Sequence, residues 1–182
     1  IYENASSNAA FGLGDLTANT PTPWIQPTFQ VSATSDKSPN FLCTSLTCPT
    51  ISNVSRTTDN NVNNYAIIRF PLINLFSEAS IRVTESDEDY PAGAFAGFTI
   101  EKVGGLLDLG LFDNITIRTY LNGTLQESQV AGGLLSLSLL GSGNPGKFDV
   151  GFWTTQDFDA VEIYVAQPVG VALGGEIRVY HA

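Results

Sequence analysis

Histidine is nearly missing from this chain: the 182 residues include one, His181. Ser–His–Asp and Cys–His catalysis both need an imidazole held in a cleft. A histidine this close to the last residue is expected at a frayed or edge position instead. Zinc sets of the H-E-x-x-H or paired C-x-x-C type do not occur either. Basic residues are scarce: Lys plus Arg number 8 against 18 Asp plus Glu, a formal net charge of -10. Those eight (Lys37, Arg56, Arg69, Arg82, Lys102, Arg118, Lys147 and Arg178) are scattered singly. An acidic chain without a basic patch repels phosphate backbones and anionic membranes, so nucleic acid is not an expected partner. No run of 18 apolar residues is found, which leaves no candidate helix to cross a bilayer, and membrane insertion is not expected. Methionine is absent and charged residues make up 14%, below the roughly 25% of ordinary soluble domains. Ser, Thr, Asn and Gly fill the surface instead, a composition that suits an extracellular β-protein.

Two cysteines are present, Cys43 and Cys48, in CTSLTC. A C-x4-C pair can close a small loop, be left as free thiols, or contribute to a metal site; with so few other soft ligands the disulfide is preferred. A disulfide implies an oxidising compartment. The chain starts at Ile1 without a charged and apolar leader, as a secreted protein does after signal removal, or a fragment of something larger.

What is there in quantity is Val, Ile, Thr, Phe and Tyr, which favour strands. Residues 1–28 read as an extended N-terminal tail, rich in Asn, Ala, Ser and Thr, with Pro21, Pro23 and Pro27 close together. Within it, AAFGLGDL places Phe11, Leu13 and Leu16 in a short apolar stretch that either packs locally or pairs as a strand with a neighbouring molecule. Residues 29–182 read as one all-β domain, with strands expected at 29–33, 64–72, 80–85, 93–103, 115–130, 147–154, 159–166 and 175–182. Asn122-Gly123 sits between two alternating runs, the signature of a two-residue type I′ hairpin. Many short strands with turn signals between them, and no alternation with helices, predict an antiparallel β-sandwich of jelly-roll-like type. Two leucine-rich phrases, GGLLDLGL (residues 104–111) and GGLLSLSLL (residues 132–140), have period two and are expected to be core strands; neither carries the glycine spacing of a phosphate loop.

The candidate sites are few. Asp59 and Asn61 lie in TTDNNVNNY, and Asp87 and Asp89 in ESDEDYPAG. These oxygen-rich loops are candidate Ca²⁺ ligands. Ordinary Asn/Asp turns are the preferred reading, and acids strung along a turn are normally solvated, so no cofactor is expected apart from that Ca²⁺ alternative. Trp24, Tyr65, Tyr90, Tyr120 and Trp153 could stack on sugar rings, though such residues more commonly pack. Asn4, Asn53, Asn114 and Asn122 begin N-x-[ST] sequons and are candidate glycosylation sites. No paired-acid motif marks a glycosidase, and no enzymatic activity is expected.

The ordered phrases NFLCTSLTCPTISNVSRTTDNNVNNYAIIRFPL, DYPAGAFAGFTIE, GGLLDLGLFDNITIRTYLNG, LLSLSLLG, VGFWTTQDFDAVEIYV and IRVYHA resemble a repeat domain of large cell-surface, adhesin-like proteins of Bacteroidota, over about residues 29–182. That resemblance implies an exported surface module with a β-sandwich fold, and carries over no catalytic residue. It also implies a cysteine pair ahead of an Asp/Asn-rich loop, which Cys43, Cys48 and Asp59 match. Relatives of that kind stand in tandem within giant chains; a lone unit with a tail suggests that units join non-covalently. The expectation is therefore a secreted or cell-surface structural protein, a pilus-like filament subunit that polymerises with copies of itself by donating its N-terminal strand. The alternative is a carbohydrate-binding module for surface glycans, with or without Ca²⁺.

Overall fold

In ITIRTYL the apolar Ile115, Ile117 and Leu121 stand at alternate positions with Thr119 among them, and in an extended chain those residues share one face. That pattern, repeated along the sequence, builds the molecule. The computed structural model describes residue 24 and residues 31–37, 48–71, 77–103, 113–130, 135–136, 146–167 and 175–182. The strands are β1 (Val31–Lys37), β2 (Thr50–Ser52), β3 (Ala66–Phe70), β4 (Ser77–Glu85), β5 (Phe95–Lys102), β6 (Ile115–Leu121), β7 (Thr124–Val130), β8 (Leu135–Ser136), β9 (Lys147–Trp153), β10 (Ala160–Gln167) and β11 (Gly175–His181). They form a five-stranded sheet in the order β1-β4-β10-β6-β7 and a six-stranded sheet in the order β2-β3-β11-β5-β9-β8. Every pairing is antiparallel. The protein is an all-β sandwich.

The two inner faces supply one core. Ala79, Ile81, Val83, Ile115, Ile117, Val161, Ile163 and Val165 come from the first sheet, and Ala66, Ile68, Phe70, Ala96, Phe98, Ile100, Val150, Phe152, Ile177 and Val179 from the second. Each large side chain removed from water contributes about 1.5–3 kcal/mol. Trp24, inside the stretch read as tail, is 7% exposed and belongs to this core. The leucine phrases expected as a buried seam lie outside the described residues, apart from the backbone of Leu135 and Ser136, which pairs with Gly151 and Val150 at the sheet edge. Sequence reading missed the short β2 and the 3-10 turn over Val54–Thr57 that follows it. Phe11, Leu13, Leu16, Asn4 and Cys43 also lie outside the described residues.

The outer faces are not bare polar surface. On the first sheet one row crosses β4, β10 and β6 as Arg82, Glu162 and Arg118. Glu162 is 5% exposed although it points away from the core. Its carboxylate accepts from Arg82 at 3.4 Å, from Arg118 at 3.3 Å and from the Tyr120 hydroxyl at 2.7 Å. The guanidinium of Arg82 lies 3.6 Å above the Tyr120 ring, and that of Arg118 3.9 Å above Tyr164. The second sheet repeats the device. Arg178 donates to Glu101 and Glu176, Arg69 donates to Glu176, the Tyr180 hydroxyl donates to Glu101, and the Lys147 ammonium sits over the Tyr180 ring. Flat guanidinium and phenol groups laid on a sheet shield one another from water, so a few ion pairs are sheltered where single surface pairs would be screened.

Residues 154–159, between β9 and β10, tie one end of the sandwich together. Glu127 on β7 accepts from the Thr155 N–H and hydroxyl, both at 2.9 Å, and from the Gln156 N–H at 3.1 Å. Asp157 accepts from the Ala92 N–H, and Asp159 from the Asn122 N–H. Asn122 and Gly123 both have positive φ, 51° and 76°, which is the two-residue hairpin turn expected from Asn-Gly.

Candidate functional site

The sequence GAFAGF puts a glycine in the middle of β5, and VGFW puts another in the middle of β9. Glycine inside a strand weakens it unless something must approach closely. Gly97 and Gly151 are direct cross-strand partners, and the Phe95 ring covers them both. A Cβ at Gly97 would stand 2.9 Å from Phe95 Cε1, and one at Gly151 2.6 Å from its Cζ. The Trp153 ring meets the Phe95 ring edge-on at 5.4 Å. Next along the same outer face, Thr99 donates its hydroxyl hydrogen to Asp149 at 2.5 Å, and His181 stands opposite Thr99 on β11.

These groups border a cavity of about 110 Å³ lined by Trp24, Phe95 to Thr99, Asp149, Val161, His181 and Ala182. Its position follows from strand lengths. On the β9 side, β5 is paired from Phe95 to Glu101. On the β11 side, a bulge between Val179 and His181 precedes the end of the strand, and the described partners run only from Thr99 to Lys102. Among the described residues, Phe95–Phe98 therefore have no strand opposite them on that side. Trp24 sits at this opening, its N–H donating to the Ala182 carbonyl at 2.9 Å. Its ring packs against Tyr90 at 4.6 Å and Phe158 at 5.9 Å, closing the end of the core.

His181 is neither frayed nor at a sheet edge, in contrast to the expectation from its place in the sequence: β11 lies between β3 and β5 and the imidazole is half-buried. Burial pushes it down to about 4, against the opposing pull of Asp149. A neutral imidazole therefore faces the cavity at neutral pH. Burial, joined by the charges of Glu85 and Glu88, likewise pushes the Tyr90 hydroxyl well above its ordinary range.

The residues singled out from sequence are dispersed. Asp59 accepts from the Asn61 N–H and the Asn64 side-chain amide, and Asn61 accepts from the Asn63 N–H. These are the bonds of an Asn/Asp turn. Asp87 and Asp89 are exposed. Among the described residues no group of three or more His, Cys, Asp or Glu side chains gathers as a metal set. One acid of that loop departs from the solvated reading: Glu85 is 3% exposed, with one oxygen accepting from the Asp87 N–H and the other buried without a partner. Cys48 is not a free thiol. Asn53 and Asn122 are exposed, and Asn114 is half-buried.

The five aromatics do not form one platform. Trp24 and Tyr90 plug the core end, Tyr120 lies on the first sheet under Arg82, Tyr65 packs with Tyr180 on the second, and Trp153 pairs with Phe95. Phe95, Gly97, Asp149 and Gly151 were not singled out from sequence; the signal available was two glycine-aromatic strands, which mark close approach but not which strands meet. No family model, curated protein or solved structure matches the chain.

Proposed function

We propose that this chain is an exported structural or adhesive surface module that joins copies of itself through its N-terminal segment. The observation that carries the reading is the placement of Trp24. It anchors the chain at the end of the sandwich, beside Phe95–Phe98 of β5, which have no described strand on their β11 side, and 23 residues precede it. A strand edge with free peptide groups is a template for another strand, and natural proteins that keep one open use it. The remaining support is consistent in kind. The net charge of -10 and the scarcity of Lys suit a surface outside the cell. A Cys43–Cys48 disulfide belongs to that compartment. The likeness to Bacteroidota surface repeats points the same way. No catalytic role is assigned to any residue.

Deletion of residues 1–20 tests the proposal. The full chain is expected to form fibres visible by negative-stain electron microscopy, and the shortened chain to remain monomeric. Fibres that persist after the deletion would remove the N-terminal segment from assembly. The second reading, a glycan-binding module, rests on the Phe95–Trp153 ring pair on the outer face of the second sheet. Binding on a glycan array that is lost in Trp153→Ala supports it; a blank array counts against it.

A further inference from the structure

We infer that the acceptor for the donated strand is the β11-side edge of β5 at Phe95–Phe98, and that its occupant is the segment Ala9–Leu16 of a second copy of this chain, with Phe11 or Leu13 filling the cavity beside Trp24. The inference rests on the proposed assembly and assigns it a place. Four residues of β5 have no described strand on that side. By the alternation of an antiparallel ladder, two of the four point their N–H and C=O groups into the gap.

The gap is two-sided in chemistry. Its inner wall is apolar, made by Trp24, Ala96, Phe98 and Val161, and its outer rim carries Thr99, Asp149 and neutral His181. A strand entering it must bring an apolar side chain inward and something small outward, where the Phe95 ring already lies flat on the sheet. Within Ala9–Leu16, residues 11–14 alternate the apolar Phe11 and Leu13 with Gly12 and Gly14, so over these four residues one face of an extended strand is apolar and the other bears no side chain, while Asp15 and Leu16 break the pattern beyond them. About 110 Å³ of space suits one such side chain.

Reach and direction favour a neighbour over the segment's own cavity. Leu13 is eleven residues from Trp24, about 36–40 Å when extended. An eight-residue strand such as β5 spans about 26 Å, so the segment can pass from one sandwich into the next. Pro21-Thr22-Pro23 directly precedes Trp24, and proline at alternate positions favours an extended departure over a reversal.

Cysteine pairing in the full-length chain decides this. Leu13→Cys and Ala182→Cys are made in separate chains, mixed and oxidised, with Lys37→Cys replacing Ala182→Cys as the control on β1. The expected result is a covalent dimer from Leu13→Cys with Ala182→Cys, and none with the control. Fibres without that cross-link would overturn the β5 acceptor and leave assembly through the N-terminal segment standing. Neither fibres nor cross-link would overturn both. A chain carrying both substitutions that closes on itself as a monomer would show the cavity filled by its own tail, and would overturn donation to a second copy.

Discussion

Truncating Glu162 to alanine should destabilise the protein more than its position on an outer sheet face suggests. The carboxylate holds three partners, Arg82, Arg118 and the Tyr120 hydroxyl, and its side chain is 7% exposed. Removing one partner of a fully buried ion pair costs about 3–5 kcal/mol, chiefly because the other charge is stranded. Here the stranded arginines have side chains 32% and 29% exposed, so water recovers part of that cost. A loss of about 2–3 kcal/mol is the reasoned value, lying between the sheltered and surface limits. For a domain of this size each kcal/mol moves Tm by roughly 2–4 °C, so Tm should fall by about 4–12 °C. Glu162→Gln keeps an oxygen to accept from Tyr120 and Arg118 but loses the charge and sets an NH2 where an oxygen accepted from Arg82; it should fall between wild type and Glu162→Ala. Thermal and urea unfolding by circular dichroism measure both. Because the row is sheltered, the loss should change little between low and high salt. A loss for Glu162→Ala below about 0.5 kcal/mol, the range of ordinary surface substitutions, would refute the claim that these rings and guanidinium groups form a protected layer.

Three further predictions follow from the second sheet. His181 titrates at about 4 when folded and at 6.5 when unfolded, so between these values the unfolded chain binds more protons. The stability it contributes is complete above pH 6.5 and is lost as pH falls through 4; urea midpoints across that range should fall less in His181→Gln than in the parent, and equal slopes would dismiss the burial argument. At the alkaline end, burial and the Glu101 carboxylate push Tyr180 from 10 up to about 12, so its contribution is complete below pH 10 and disappears as pH rises through 12, with Tyr180→Phe flattening that limb. Gly151→Ala drives a Cβ into the Ala96 carbonyl oxygen and to 2.6 Å from the Phe95 ring; the β5–β9 ladder must shift, and a cost of about 1–3 kcal/mol is expected for such overpacking. An unchanged Tm in Gly151→Ala would mean that the ring does not rest on the glycine pair.

Local pattern accounts for most of the strands and little of the site. Period-two alternation in ITIRTYL, DAVEIYVA and GEIRVY places the inward apolar residues correctly, because a strand exposes one face to the core and hydrophobicity chooses which; Thr119, polar yet fully buried on the inward face of ITIRTYL, is the exception. Asn122-Gly123 specified its turn because few residue pairs accept positive φ at both positions. Some expected strand ends match the observed ones, and others differ by up to four residues, as where β1 runs to Lys37 and β3 stops at Phe70. Composition could not show that Glu85 and Glu162 are buried. An acid between two arginines on neighbouring strands looks no different in sequence from one in water.

The sequence alone determined the fold class, the hairpin and the inward face of the central strands, since these follow from side-chain spacing and backbone preference within a few residues. Tertiary structure decided which strands are neighbours. That order brought Gly97 to Gly151, His181 to Thr99 and Trp24 to Ala182. Contacts between residues 50 to 160 positions apart depend on how two sheets close over one core, and no local preference encodes that closure.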